Sequence, residues 1–256
     1  MKVSVIMPVY NAQRWLAASV ASVQQQTYQN WELLIVDDCS TDGSGALASS
    51  LAANDDRIRV FRLTASAGAA AARNKAIEEA VGRYIAFLDS DDLWHPQKLE
   101  HQLAFMHSHG YAFTYTAYEK IDEQGQPFQQ VRVPATVAYS ALLKTNVIGC
   151  LTAMYDTAAL GKVYMPSNTQ REDFATWLHL LKKISYAHGI PVALAQYRVY
   201  AGQTSAKKIT MAKHTWHLYR DIEQLGLLTA AYYFTHYAVK GICRNRRKPA
   251  SALQPK

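Results

Sequence analysis

Hydrophobic and polar positions alternate in a regular order through the first 108 residues. A continuous apolar run predicts a strand buried on both faces over residues 3–9, and two more strands are predicted over 31–36, also of the buried type, and over 83–88. Alternating apolar and basic residues predict a strand nearer an edge over 57–63. Helical spacing predicts helices over residues 12–26, 44–53, 69–80 and 96–107. Four strand–helix units in this order predict an α/β fold with a mostly parallel, doubly wound sheet.

The second half of the chain has a less regular pattern. Strands are predicted over residues 111–121, 127–133, 147–155 and 192–199, an amphipathic helix over 172–183, and two closing helices over 208–225 and 227–244. The start of the chain is too short and too soon broken for a signal peptide. The longest apolar stretch, 226–239, is interrupted by Thr229, Thr235 and His236, so we expect no membrane-spanning helix.

The net charge of +7 is unevenly distributed along the chain. Every acidic residue lies at or before Glu223, so residues 1–239 carry 21 basic and 20 acidic side chains, and six basic residues follow. A basic end after an aromatic helix is typical of an interfacial helix that is attracted to anionic lipid. The alternative is a helix packed on the domain with a solvated basic end. The near-neutral body argues against a nucleic-acid partner.

Three cysteines with no short spacing between any two, Cys39, Cys150 and Cys243, argue against a disulfide framework or a zinc site. They fit a reducing compartment, and we expect the protein in the cytoplasm, peripheral at the inner face of the cell membrane.

Polar residues cluster where the predicted buried strands end. Tyr10 follows the first strand, Asp38 follows the second, and three aspartates between Asp89 and Asp92 follow the fourth. In a parallel sheet these positions share one edge, where ligands bind. Three carboxylates so close together repel one another unless a cation lies among them, which favours a Mg²⁺ or Mn²⁺ site. The alternative is a turn that caps the helix beginning near Pro96.

Each of the other candidate residues has two interpretations on the sequence alone. Asp38 can bind a base or ribose hydroxyl, or it can cap the helix that follows. Tyr10 can stack on a base or simply pack. Gly68 lets a backbone approach closely and Arg73 can reach a phosphate, or Arg73 can be a surface residue of an alanine-rich helix.

Four blocks of sequence together resemble a known family. Residues 3–11 (VSVIMPVYN), 32–42 (ELLIVDDCSTD), 72–74 (ARN) and 82–92 (GRYIAFLDSDD) are similar to the nucleotide-binding half of family 2 glycosyltransferases in order and spacing. The resemblance implies a GT-A fold, with a Rossmann-like nucleotide-binding half and an acceptor-binding half. We therefore expect a catalytic domain over 1–205, divided into a donor half (1–108) and an acceptor half (109–205), and a helical, basic tail over 206–256.

The resemblance also implies roles for the residues at the sheet edge. Pro8, Tyr10 and Asp38 would hold the base and ribose of the nucleotide-sugar. Asp89 and Asp91 would form an Asp-x-Asp motif, with Asp91 on the metal and Asp89 on the ribose. Asp92 lies beyond the motif and receives no role.

The acceptor half supplies the remaining candidates. Glu172-Asp173 resembles the family's acidic pair ahead of a Trp-Leu helix, which implies that Asp173 is the catalytic base. The alternative is that the pair only complements the positive end of a helix. With Arg73 and the metal stabilising the departing diphosphate, one displacement would invert the anomeric configuration. The segment 197–205 resembles a later family block, with Tyr200 where a His is common.

The predicted function is therefore an inverting, metal-dependent hexosyl- or N-acetylhexosaminyltransferase. It would use a nucleotide-sugar, by default a UDP-sugar, and a saccharide or lipid-linked saccharide acceptor in cell-surface polysaccharide synthesis, such as lipopolysaccharide or capsule. A sugar nucleotidyltransferase is an alternative, but it would carry a Gly-rich loop where this chain has residues 8–12, PVYNA. A second alternative is a non-catalytic, transferase-like protein that binds nucleotide or membrane.

Overall fold

The computed structural model describes residues 1–201 and 208–246. The first half consists of alternating strands and helices. Its strands are β1 (Val3–Val9), β2 (Trp31–Asp37), β3 (Ile58–Arg62), β4 (Tyr84–Phe87) and the short β5 (Leu93–Trp94). Its helices are α1 (Leu16–Gln24), α2 (Ser44–Ala52), α3 (Gly68–Glu79) and α4 (Lys98–His109).

The second half mixes short strands with helices of very different length. Its strands are β6 (Phe113–Ile121), β7 (Pro127–Val131), β8 (Thr136–Val137), β9 (Met154–Asp156) and β10 (Ala187–Arg198). Its helices are α5 (Tyr139–Lys144), α6 (Thr157–Leu160), α7 (Glu172–Lys183), α8 (Lys208–His217) and α9 (Leu227–Arg246). A 3₁₀ turn (Cys150–Thr152) precedes β9, and a π-helical turn (Leu218–Ile222) continues α8.

All ten of these strands belong to one sheet, in the order β3-β2-β1-β4-β9-β6-β10-β5, with β7 beside β6 and β8 beside β10. The first four strands pair in parallel, which confirms the predicted doubly wound half. β9 is antiparallel to both β4 and β6 and joins the two halves, while β6 and β10 run parallel to each other. The two halves of the chain therefore share one continuous sheet.

Helices cover both faces of the sheet, and this explains the uninterrupted apolar runs. All seven residues of β1 are buried. Val5 belongs to a core cluster formed with α1, α2 and α4. Its neighbour Ile6 belongs to the opposite cluster, which includes Ala76 of α3 and Trp177 of α7. Successive strand residues point to opposite faces, so a strand covered on both faces is buried along its whole length and is mostly apolar.

The structure differs from the predicted elements in places that have physical reasons. β10 begins at Ala187 rather than at residue 192, because its pairing with β6 shifts register between Ile190 and Ala193, and this irregularity accommodates Pro191. The apolar stretch 147–155 is a 3₁₀ turn followed by a three-residue strand rather than one strand. Helix α8 ends at His217 because the chain continues as a π-helical turn, not as an α-helix to residue 225.

The last described helix, α9, has one packed face and one exposed face. Ala230 is fully buried, and Tyr233 and Phe234 pack on the main core. On the exposed face lie Leu228, which is 85% exposed, and Val239, which is 53% exposed. No helix within 1–201 and 208–246 is long and apolar enough to cross a membrane. Residues 202–207 and 247–256, which include residues 202–205 of the segment 197–205 and the end of the basic tail, lie outside the described residues.

Candidate active site

The site lies at the edge where β1, β2 and β4 end, and each strand places at least one predicted residue there. Pro8 is buried within β1 beside Val36 of β2. Tyr10, the first residue after β1, is 56% exposed. Asp38 follows β2 and is buried, and Asp89 lies two residues after β4. Parallel pairing of these strands therefore brings the four residues to a common edge.

Asp38 anchors the loop that leads into α3. Its carboxylate accepts hydrogen bonds from the backbone N–H of Ala67 (2.7 Å) and Gly68 (2.9 Å) and from the hydroxyl of Ser66 (3.0 Å). Gly68 has φ +86°, a backbone conformation that glycine adopts without strain. Asp38 thus supports the N-terminal end of α3 rather than that of the next helix α2, where Asp42 accepts from Ser44 N–H (2.9 Å).

Arg73 connects the end of β4 with the start of α7. Its side chain is only 7% exposed, and its guanidinium donates to Asp89 Oδ1 (2.6 Å) and to Glu172 Oε1 (3.0 Å). Burial alone would lower the pKa of Arg73, but the charges of Asp89 and Glu172 raise it well above its usual value. Arg73 is therefore a buried cation between the end of β4 and the start of α7, not a surface residue.

The aspartates after β4 have three different environments. Asp89 pairs with Arg73, as described above. Asp92 is buried, accepts a hydrogen bond from Arg198 N–H (2.9 Å), and has a pKa that burial raises well above its usual value. The Nε of Arg198 donates to the backbone oxygen of Asp91 (2.8 Å). Asp92 and Arg198 together fix this turn against β10, a role that the sequence did not reveal.

Asp91 faces a small polar cavity of about 90 Å³ that is also lined by Tyr10, Trp15 and Tyr200. The hydroxyl of Tyr200 hydrogen-bonds to the Asp91 carboxylate, and the Tyr200 ring packs on Trp15 with centroids 4.5 Å apart. Burial, and then the nearby Asp89 charge, raise the pKa of Asp91. Sequence reasoning missed Trp15, and it marked Tyr200 only as a departure from the family pattern.

Asp173 lies in the first turn of α7, half-buried, and one of its oxygens accepts from Phe174 N–H (2.6 Å). Burial and the adjacent Glu172 charge raise the pKa of Asp173 to about 6, while Arg171 and Arg73 oppose that rise. The thiol of Cys150 is close enough to feel the charges of Arg73, Asp89 and Asp173, and burial raises its pKa well above its usual value. The structure therefore brings the edge where β1, β2 and β4 end and the predicted base to one place.

A divalent cation fits this edge as a substrate-linked metal rather than as a metal held by the protein alone. Within the described ranges, no group of three His, Cys, Asp or Glu side chains is arranged to hold a metal ion. Asp91 offers one carboxylate at the cavity, next to the like charge of Asp89. Mg²⁺ is commonly bound by one or two carboxylates together with substrate phosphates, which matches this donor set.

Comparison with known proteins identifies the family. Residues 4–160 match the model of Glycosyl transferase family 2, so the chain belongs to this family of glycosyltransferases. The chain is 44% identical over 94% of its length to "Putative teichuronic acid biosynthesis glycosyltransferase TuaG" of Bacillus subtilis, and the match covers 96% of that protein. It is 38% identical over 94% of its length to UDP-Glc:alpha-D-GlcNAc-diphosphoundecaprenol beta-1,3-glucosyltransferase WfgD of Escherichia coli, of which 93% is covered.

A solved structure agrees with the fold. Mannosyltransferase PcManGT from Pyrobaculum calidifontis, in complex with GDP-Man and Mn²⁺, superposes with a TM-score of 0.70 at 18% identity, over 96% of this chain and 76% of that one. The predicted GT-A fold and the predicted glycosyltransferase class are confirmed.

Proposed function

We propose that the protein is an inverting, metal-dependent glycosyltransferase that moves a hexosyl or N-acetylhexosaminyl group from a UDP-sugar to a lipid-linked saccharide. The observation that carries the proposal is the bridge made by Arg73, which contacts Asp89 at the donor edge and Glu172 beside Asp173. Arg73, a buried cation, thus lies between a residue proposed to bind the donor and the segment that carries the candidate base. In this proposal residues 1–108 form the donor half and residues 109–205 the acceptor half.

The donor nucleotide would lie along the edge formed by β1, β2 and β4. Pro8 and Tyr10 would contact the base, Asp38 the base or ribose, and Asp89 the ribose. The exposed ring of Tyr10 is available for stacking, and Asp38 keeps spare acceptor capacity because each carboxylate oxygen has two lone pairs. Arg73, buried next to Asp89, would place a positive charge near the departing diphosphate.

Asp91 would hold a Mn²⁺ or Mg²⁺ ion together with the diphosphate of the donor. Such an ion supplies charge stabilisation to the leaving nucleoside diphosphate. The hydroxyl of Tyr200 would orient the Asp91 carboxylate through the hydrogen bond between them. PcManGT, which shares the fold, has been solved with GDP-Man and Mn²⁺, and this supports a divalent metal in the proposed reaction.

Asp173 would remove the proton from the acceptor hydroxyl. A base acts best when its pKa lies near the working pH, and a pKa of about 6 leaves Asp173 mostly ionised at pH 7 while raising its basicity above that of an ordinary aspartate. The hydroxyl would attack the anomeric carbon from the face opposite the diphosphate, so a single displacement inverts the configuration.

The acceptor and the cellular setting follow from the relatives and from the C-terminal helix. WfgD is named for transfer to a GlcNAc-diphosphate-lipid, and TuaG for teichuronic acid biosynthesis, so we propose a role in cell-surface polysaccharide synthesis such as lipopolysaccharide or capsule. The exposed apolar face of α9, with Leu228 and Val239, would lie on an anionic membrane surface. The protein would then be cytoplasmic and peripheral at the inner face of the cell membrane.

The proposal is tested by calorimetric titration with UDP, with and without Mn²⁺, on the wild type, Asp91→Ala and Asp173→Asn. We expect Mn²⁺ to strengthen UDP binding in the wild type, Asp91→Ala to lose that gain, and Asp173→Asn to keep it. In a transfer assay from UDP-glucose to a synthetic GlcNAc-diphosphate-lipid, Asp173→Asn should be inactive. Absence of UDP binding under every metal condition would leave a non-catalytic, transferase-like protein as the better description.

A further inference from the structure

The segment that begins α7 is held by the two C-terminal helices. Arg171, the residue just before α7, donates from Nε to the hydroxyl of Thr215 in α8 (3.1 Å) and from its terminal nitrogen to the hydroxyl of Tyr237 in α9. Its guanidinium also lies 5.3 Å from the centre of the Tyr237 ring. Two helices that lie far from Arg171 in the sequence therefore fix its side chain.

The contact to α8 is itself well ordered by a second hydrogen bond. Thr215 is fully buried and donates its hydroxyl proton to the backbone oxygen of Met211 (2.8 Å). Its oxygen therefore presents a lone pair to Arg171 in a fixed direction. Tyr237 completes the clamp from the far end of the side chain, so the guanidinium cannot rotate without breaking a contact to α8 or α9.

Arg171 precedes Asp173 by two residues and acts on it electrostatically. The groups that face Asp173 are Glu172, Arg171, Arg73 and the thiol of Cys150. Burial and Glu172 favour the protonated acid, and the positive charge of Arg171 favours the carboxylate. Because Arg73 is already shared between Asp89 and Glu172, Arg171 is the cation in this group that pairs with neither of those carboxylates.

We propose that Arg171 is a positioning residue for the base, and that α8 and α9 act on Asp173 through it. The clamp by Thr215 and Tyr237 fixes Arg171, the residue just before α7, and so holds the first helical turn, which carries Asp173. The positive charge held there favours the ionised carboxylate of Asp173. A competent base then requires the C-terminal helices to be docked on the catalytic domain. This inference rests on the proposed role of Asp173 as the base.

The ionisation of Asp173 is measured directly, without donor or acceptor, by ¹³C NMR of labelled aspartate carboxyl groups in the full chain. Asp173→Asn identifies the Asp173 resonance by its absence. In Arg171→Gln we expect the pKa of Asp173 to rise by about 0.5–1 pH unit, because an opposite charge nearby favours the carboxylate. In Arg171→Lys, which keeps the charge, we expect a smaller rise.

The coupling to α9 is tested by Tyr237→Phe, which removes one hydroxyl and leaves every charge in place. We expect the pKa of Asp173 to rise in the same direction and kcat for transfer to fall about tenfold, since a small misplacement of a catalytic group is costly. The KM for UDP-glucose should stay within about twofold. The matched control is Tyr233→Phe, a tyrosine of the same helix that packs on the core and has no contact with Arg171 among the described residues.

Three outcomes would overturn the inference. The first is an Asp173 pKa that is unchanged in Arg171→Gln while the protein binds UDP like the wild type. The second is a pKa of Asp173 that changes in Arg171→Gln but not in Tyr237→Phe, which would show that α9 does not act through the arginine. The third is an equal effect of Tyr237→Phe and Tyr233→Phe, which would indicate general loosening of the helix. A wild type that titrates as expected but transfers nothing would count against the proposed function instead.

Discussion

Replacing Arg73 by glutamine tests whether this one buried cation holds the two halves of the site together. The change removes the positive charge and leaves Asp89 and Glu172, which are 29% and 17% exposed, without their shared partner. Glutamine keeps much of the side-chain length, so the main effect is electrostatic rather than a loss of packing. We expect the variant to fold but to be clearly less stable.

The size of the effect follows from the burial of the ion pairs. Removing one partner of a buried pair costs about 3–5 kcal/mol, because a desolvated charge is left behind. Two features reduce that cost. The first is that both carboxylates retain some access to water. The second is that the Nε of Arg73 has no hydrogen-bond partner among the described residues. The variant no longer buries that group, which offsets the loss of stability by about 1 kcal/mol. We therefore expect the free energy of unfolding to fall by about 3 kcal/mol, or Tm by about 6–12 °C.

The measurement is urea denaturation of the wild type, Arg73→Gln and Lys75→Gln at pH 7. Lys75 is the matched control, because it lies two residues further along α3 and pairs with Glu79 on the surface (2.8 Å). An exposed pair of this kind contributes little to the free energy of unfolding, so Lys75→Gln should change it far less than Arg73→Gln does.

Two results would refute the reasoning. One is a loss in Arg73→Gln no larger than the loss in Lys75→Gln. The other comes from the double variant Arg73→Gln with Glu172→Gln: if its cost equals the sum of the two single costs, the two side chains are not energetically coupled. A large loss of stability with unchanged UDP affinity would restrict Arg73 to a structural role.

Three further predictions concern other residues of the site. Because a base must be ionised and the pKa of Asp173 is about 6, we expect kcat/KM for transfer to fall about tenfold between pH 7 and pH 5, and a flat pH profile would exclude Asp173 as the base. Asp38→Asn should lower the free energy of unfolding by about 2 kcal/mol in urea denaturation, because an amide cannot accept all three hydrogen bonds that the carboxylate accepts. The matched control, Asp42→Asn at an exposed position, should lower it less. Tyr200→Phe should reduce the Mn²⁺-dependent gain in UDP affinity about tenfold by calorimetry, and an unchanged gain would show that its bond to Asp91 does not matter.

The first half of the fold could be predicted from the sequence because the rules that determine it are local. An uninterrupted apolar run such as Val3–Val9 indicates a strand buried on both faces, and a polar residue directly after it, such as Tyr10, must lie at the sheet edge. Parallel pairing then brings the ends of β1, β2 and β4 together without further information. The resemblance to the family rests on these same strand ends.

The contacts between the halves could not be predicted, because they join residues far apart in the chain. The bridge from Arg73 to Glu172 spans 99 residues, and the bond from Arg198 to Asp92 spans 106. No spacing rule connects such pairs. On the sequence alone, Asp38 could either bind the ligand or cap the helix that follows it. The structure shows that Asp38 supports the start of α3, a helix that begins 30 residues later.

The charges of the site, taken together, explain why a cation should arrive with the donor. The turn after β4 and the start of α7 carry five carboxylates, and three arginines act on them: Asp89, Asp91, Asp92, Glu172 and Asp173, with Arg73, Arg171 and Arg198. Arg73 already serves two of these carboxylates, and Arg198 is engaged with backbone oxygens of the turn. A diphosphate adds further negative charge to an edge whose arginines are committed. Binding without a metal would therefore place like charges side by side in a partly desolvated site, and the divalent cation proposed at Asp91 would remove that repulsion.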